Sequence, residues 1–248
     1  QIINSMKTLV IIPSRLSATR LPGKPLLKIE GLSIISRVFK RAEKANIGEV
    51  IVATEDNEII EDVKKNGGNA ILTSKKPKTG TDRIYEAFKK LDRNDVDLIM
   101  NIQGDEPEID ITDIRKLHSN MKENKEGRIG TLATKIFDNQ VYKNQNVVKV
   151  KIKESFDQNP FPLADNFFRK IEKKENIFHH IGIYCYKVET LKNFVSYNQS
   201  KNELNNRLEQ LRAIDNNIDI NVAKGNSSPI GVDTKEDYLA LKKIIEYK

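Results

Sequence analysis

Two periods of apolar and polar residues alternate along the chain. Residues 8–12 form a short apolar run of the kind a buried strand needs, after which periodicity stops for about a dozen residues. Over 33–45, apolar side chains recur at Ile34, Ile35, Val38, Phe39 and Ala42, the stripe of an amphipathic helix. A β run over 49–53 follows, then a helix over 56–66 with Asp56 as its N-cap and Gly67 and Gly68 as its close. Residues 70–72 begin another strand.

Further along, the pattern predicts a helix carrying Ile84, Ala87, Phe88 and Leu91, a strand at 98–102, a helix over 111–121 and a strand over 130–135. Residues 147–152 and 179–186 alternate like strands with one wet face. Leu204, Leu208 and Leu211 predict a core stripe on one helix over 202–214. A strand over 218–223 and a last helix over 235–247, capped by Asp233 or Thr234, complete the order. This alternation predicts an α/β fold: a mostly parallel open sheet with helices on both faces.

Composition adds bounds. A chain of 248 residues can bury one substantial core with a smaller appended lobe. Met6 reads as the natural start, so residues 1–5 are left out and 6–248 are expected to form one domain. There is no apolar run of the roughly 20 residues that span a bilayer and no secretory pattern, so no membrane insertion is expected. The single Cys185 fits a reducing cytoplasm. A net charge of +7 admits nucleic acid, but the lysines are scattered, without an Arg-rich or aromatic-basic tract. Acidic small molecules explain the positive field as well, and no nucleic-acid partner is expected.

The aperiodic stretch after the first strand carries Arg15, Arg20 and Lys24 among Pro13, Pro22, Gly23 and Pro25. Cations on a proline-held loop suit a polyphosphate; a solvated basic surface loop is the competing reading. It is not a P-loop, because Ala18 stands where Gly is needed and Pro25 where Ser or Thr is needed. A dinucleotide fingerprint is also absent. Later, an apolar strand ends in Gln103-Gly104-Asp105-Glu106, which puts carboxylates where α/β folds bind ligands. Asp105 is thereby a candidate ligand for a hard cation, with a simple Gly-Asp turn as the alternative. In the segment 79–83, Thr81 or Asp82 could cap the following helix. His180 and Tyr184 share a strand face with Gly182 between them, either as a structural pair or around a ligand.

Taken together, Pro13-Ser-Arg15, Thr19-Arg-Leu-Pro-Gly-Lys-Pro25, Thr79-Gly-Thr-Asp-Arg83, Gln103-Gly-Asp-Glu-Pro107, the His180–Tyr186 strand, Leu208-Glu-Gln-Leu-Arg212 and Gly231-Val-Asp-Thr234 closely resemble the 3-deoxy-manno-octulosonate (Kdo) cytidylyltransferase family. The resemblance runs from Met6 to the C-terminus. It implies an open nucleotide-diphospho-sugar transferase (GT-A-like) fold with a small dimerisation and sugar-binding lobe. It also implies magnesium-dependent transfer of CMP from CTP to Kdo for lipopolysaccharide synthesis, and a homodimer formed through 147–161 and its surroundings.

On this resemblance Arg15, Lys24, Asp105 and Asp233 are catalytic, and Asp105 and Asp233 hold the metal. Pro13, Arg15, Arg20, Lys24, Gly80, Thr81 and Gln103 bind nucleotide, while Arg83, Gln103, His180, Tyr184, Glu209 and Gln210 bind the sugar acid. Departures occur at Ala18, Asp157, Gln158 and Asn206, the last three on the acceptor side. They keep open another octulosonic or nonulosonic acid, such as 8-amino-Kdo, as acceptor. A non-catalytic nucleotide- or nucleic-acid-binding protein on the same fold is the reading from another class.

Overall fold

The structure, a computed structural model, describes residues 6–248, so the expectation about residues 1–5 lies outside the described residues. The chain forms two compact units: residues up to 114 together with Pro229–Lys248, and Arg115–Ser228.

In the first unit, β1 (Thr8–Ser14) leads through the proline-rich loop to a small hairpin, β2 (Lys28–Ile29) and β3 (Leu32–Ser33). Then follow α1 (Ile34–Lys44), β4 (Glu49–Thr54), α2 (Asn57–Lys65), β5 (Asn69–Leu72), α3 (Gly80–Leu91) and β6 (Leu98–Asn101). The four long strands pair in parallel in the order β6-β1-β4-β5. β1 is apolar and almost wholly buried because it has neighbours on both edges and helices over its faces. From β1 the chain steps outward through β4 to β5, then returns past β1 to β6. With right-handed crossovers, that reversal places α1 and α2 on one face and α3 on the other. The β1/β6 boundary is therefore the switch point, and the loops after these two strands flank a crevice.

The C-terminal helix Lys235–Glu246 belongs to this unit. Its Leu241 and Ile245, with Val232, pack against Leu21, Ile29 and Ile34, which roofs the hairpin and the root of the proline-rich loop. Thr234, not Asp233, caps it, accepting from the Asp237 N–H at 3.2 Å in a capping box.

α4 (Ile111–Glu123) carries the chain into the second unit. There β7 (Ile129–Thr134) pairs in parallel with the strand at Ile220–Lys224 and antiparallel with the strand at Ile177–Lys187. β8 (Lys149–Ile152) and β9 (Ala164–Phe168) extend the latter strand antiparallel, making β10 of Ile177–Lys187 and β11 of Ile220–Lys224. Helices α5 (Val188–Ser196), α6 (Lys201–Asn206) and α7 (Leu211–Asp215) lie between β10 and β11. The helix of Lys235–Glu246 is α8.

Three expectations are corrected. The helix expected over 202–214 is two helices, because Arg207 takes a left-handed backbone (φ 52) between them. The break turns Leu204 out of the stripe, leaving it 55% exposed while Leu208 and Leu211 are buried. At the start of α3 neither Thr81 nor Asp82 caps; Thr79 does, accepting from the Asp82 N–H at 3.2 Å. Asp56 sits at the N-cap position of α2, but its carboxylate makes no cap bond. It turns instead to the backbone N–H of Leu16, 2.7 Å away.

Candidate functional site

The proline-rich loop wraps one side of a cavity of about 410 Å³ in the first unit. Gly23, at φ 72, gives the loop its left-handed turn, and Lys24 then enters a single 3-10 turn with Pro25 buried beneath it. The opposing lining comes from Pro77 to Gly80, from Gln103 to Asp105 after β6, and from Asp233. Gly104 lets the two loops approach closely: a Cβ at this position would stand 3.0 Å from the Pro13 carbonyl oxygen, a contact tight enough that one of the loops would have to shift.

Arg15, Lys24, Asp105 and Asp233 all line this cavity, as do Pro13, Arg20, Gly80, Gln103 and Arg83. Thr81 does not; it is 3% exposed, beneath the start of α3. The two aspartates are brought together by the backbone, since the Val232 N–H donates to the Asp105 carbonyl at 2.9 Å. Each carboxylate has a cation beside it. Lys24 Nζ lies 3.4 Å from Asp105 Oδ2, and Arg20 donates to Asp233 Oδ2 at 2.6 Å.

The Asp105 side chain is 37% exposed to the cavity, yet its burial at the crevice floor raises its carboxyl above the usual range, opposed by Lys24 and reinforced by the Asp233 charge. Glu106 is pushed up to about 8 by burial and then by Asp105, and its Oε2 is buried without a hydrogen-bond partner. The motif drew notice to Glu106 without a role; its burial is tertiary and has no local signal.

Arg83 differs most from expectation. Its guanidinium is buried and engaged: it donates to Thr73 Oγ1 at 2.5 Å and the Ser74 carbonyl at 3.0 Å, and pairs with Glu55 at 3.3 Å. Arg83 thus lines the cavity with Glu55 as a counter-charge beside it. Lys78, which the sequence reading passed over, lines the cavity and is exposed.

A second group lies in the other unit. β10 carries a bulge between Ile181 and Tyr184 that pushes Gly182 and Ile183 out of register with β7. Thr131 donates its hydroxyl proton to the Ile183 carbonyl at 2.7 Å, and the same oxygen is 2.9 Å from His180 Nε2. Nε2 therefore carries the ring proton and Nδ1 is left as an acceptor. Burial and then His179 push His180 down to about 3, so the ring is neutral. His180 packs against Phe167 and Tyr184, with ring centroids 5.0 and 5.6 Å apart. Burial, then Tyr186 and Glu209, hold the Tyr184 phenol well above its usual value, so it stays protonated. Glu209 is half-buried and Gln210 buried where α7 begins.

Nearby acceptor-side departures are used locally. Gln158 Oε1 accepts from the Ser155 N–H at 3.1 Å, and Asn206 Nδ2 donates to Asn202 at 2.9 Å. Asp157 is exposed.

The chain is similar to known proteins over nearly its whole length. The cytidylyltransferase family model matches residues 9–220. A 3-deoxy-manno-octulosonate cytidylyltransferase from Fusobacterium nucleatum is 42% identical, with 98% of this chain and 97% of that protein covered. One of the same description from Thermodesulfovibrio yellowstonii is 40% identical over 97% and 98%. Among solved structures, a CMP:2-keto-3-deoxy-manno-octonic acid synthetase complexed with CTP superposes with a TM-score of 0.88 at 32% identity, over 97% of this chain and 99% of that one. A 4-diphosphocytidyl-2C-methyl-D-erythritol synthase from Anaerococcus prevotii shares the fold alone, with a TM-score of 0.67 at 14% identity. No helix among the described residues is long and apolar enough to cross a membrane. This chain belongs to the cytidylyltransferase family and, within it, to the 3-deoxy-manno-octulosonate cytidylyltransferases.

Proposed function

We propose that this protein transfers CMP from CTP to the anomeric hydroxyl of Kdo, releasing pyrophosphate, and that residues 6–248 act as one cytidylyltransferase domain. The observation that carries the reading is the cavity in which three cations, Arg15, Arg20 and Lys24, face the paired carboxylates Asp105 and Asp233. A polyanionic nucleotide needs the former and its divalent cation the latter.

The donor set fits magnesium. Among the described residues no cluster of three or more metal-ligating side chains exists, and magnesium bound with phosphates takes one or two carboxylates and keeps several waters. Asp105 and Asp233 would hold it, and when bound it neutralises charge developing on the phosphates. In the free protein Lys24 and Arg20 pair with those carboxylates and hold them in the cavity. With nucleotide present, Arg15, Arg20 and Lys24 bind phosphate oxygens and stabilise the charge that builds on the α-phosphate and leaving group. Gly80 and Gln103 line the nucleotide cavity, and Thr81 is buried in the first turn of α3 beside Gly80.

For the sugar acid, neutral His180 offers Nδ1 as an acceptor and Tyr184 a phenolic donor, while Glu209 and Gln210 supply further polar ends. Arg83 acts by holding the loop at Thr73 and Ser74 rather than by meeting the acid. The protein works in the cytoplasm as a homodimer in lipopolysaccharide synthesis, with small-molecule partners and neither nucleic acid nor membrane insertion.

A different sugar acid as acceptor is the second reading. It is favoured by Gln158 and Asn206, whose side chains bond within their own turns. The test is pyrophosphate release with CTP and magnesium, offering Kdo, 8-amino-Kdo and N-acetylneuraminate separately, with Asp105→Ala as control. Release with Kdo that the substitution abolishes supports the main reading. Release with another acid alone supports the second, and silence with all three overturns both.

A further inference from the structure

The proline-rich loop needs something to fix its backbone, since its cations act at a distance from β1. The peptide of Leu16 is the hub. Its carbonyl accepts from the N–H groups of Ala18 at 2.9 Å and Gly23 at 3.1 Å, which folds the loop back on itself. Its own N–H points out of the loop and donates to Asp56 Oδ2, forty positions away, at 2.7 Å. Asp56 is in turn steadied by its backbone N–H, which donates to Thr54 Oγ1 at 3.1 Å at the end of β4.

The carboxylate makes no bond to the helix it precedes, although N-capping is the ordinary use of Asp at that position. It has given up the cap for the loop. The adjacent residue does the matching task for the opposite rim: Glu55 pairs with Arg83, whose guanidinium fork holds Thr73 and Ser74. One strand end thus pins both walls of the cavity.

We propose that Asp56 is a positioning residue for nucleotide binding: through the Leu16 N–H it sets the loop that carries Arg15 and Arg20. This rests on the reading of the cavity as the CTP site. The carboxylate touches no substrate; it fixes the backbone between Arg15 and the hub carbonyl, so that the cations are ordered before the triphosphate arrives.

The test compares Asp56→Ala with Asp56→Asn. The Asn side-chain oxygen can still accept from Leu16 N–H, whereas Ala cannot. For Asp56→Ala, the KM for CTP should rise about 10-fold or more, the loss expected for a hydrogen bond to a charged group. The KM for the sugar acid should move little, and Asp56→Asn should restore most of the affinity. Amide hydrogen exchange of Leu16, measured without nucleotide, should speed up in Asp56→Ala and stay slow in Asp56→Asn.

An unchanged Leu16 exchange rate in Asp56→Ala overturns the proposal. So does a rise in KM shared equally by both substrates and tracking a lowered melting temperature in both variants, which is what a helix-start defect would give. If the unsubstituted protein binds no CTP, the reading of the cavity fails and the nucleotide role with it, while the exchange result still judges the loop tie separately.

Discussion

The backbone N–H of Val232 donates to the carbonyl of Asp105 at 2.9 Å, a bond that ties together the two segments carrying the site's carboxylates. It sets Asp105 and Asp233 in one cavity, where burial first and then the neighbouring Asp233 raise the Asp105 carboxyl. Replacing either aspartate by Asn should keep the fold and lower kcat by about 100-fold, ~3 kcal/mol of barrier. Steady-state kinetics beside a melting curve checks this; unchanged kcat in both variants would remove them from the metal site.

Arg83 should behave as a structural residue. It is 4% exposed and its partner Glu55 11%, so Arg83→Ala strands a buried carboxylate and leaves Thr73 and Ser74 unheld. Breaking a buried pair in this way costs about 3–5 kcal/mol, which denaturant unfolding would read directly. A variant of native stability with a raised KM for the sugar acid alone would instead return Arg83 to acceptor binding.

Acid should destabilise the protein through its buried histidines. His180 is pushed down to about 3 and His118 to about 4, both by burial first, against about 6.5 for an unfolded chain. Below that value the unfolded chain takes up protons that the folded one refuses. Each ring therefore removes up to ~1.4 kcal/mol per pH unit as the pH falls from about 6.5 toward its folded value. Urea unfolding across this window should show the slope, and His180→Phe should flatten it; an unaltered slope would mean that His180 is not the buried neutral ring described.

Gly104→Ala places a methyl 3.0 Å from the Pro13 carbonyl oxygen, where backbone must give way. The loop after β6 should shift from the loop after β1, carrying Asp105 with it. We expect a loss of roughly 1–3 kcal/mol in stability, typical of overpacking, and a larger fall in kcat/KM for CTP. Wild-type kinetics in this variant would show that the two loops have slack.

Much of the first unit was legible because its signals are local. The apolar β1 run, the stripe from Ile34 to Ala42 and the Gly67 close each need only a few neighbouring residues. The cationic loop and Asp105 could be singled out on the same basis, though joining them to Asp233 took the family resemblance. What escaped depends on distant partners. Asp56 has an ideal capping sequence and loses its cap to Leu16. Arg83 reads as a free cation until Glu55 is seen beside it. The Leu204 stripe fits a helix well, and only the left-handed turn at Arg207 breaks it. That turn's carbonyl, with that of Asn206, is held by the Arg169 guanidinium, 2.8 and 2.7 Å away, which no local pattern announces. Strand β9 and helix α5 lay in stretches to which no element was assigned.

Because residues 229–248 return to the first unit after all of Arg115–Ser228 has been laid down, that unit is discontinuous in synthesis. A ribosome that has made the chain as far as Ser228 has already delivered β1, the cationic loop and Asp105. It has not delivered Asp233, nor Val232, Leu241 and Ile245, which cover Leu21 at the root of that loop. The nascent protein thus carries an uncovered apolar patch, and Arg20 lacks its carboxylate partner, until residues 229–248 arrive. With Asp233 in its proposed role, a chain ending at Ser228 should release no pyrophosphate from CTP.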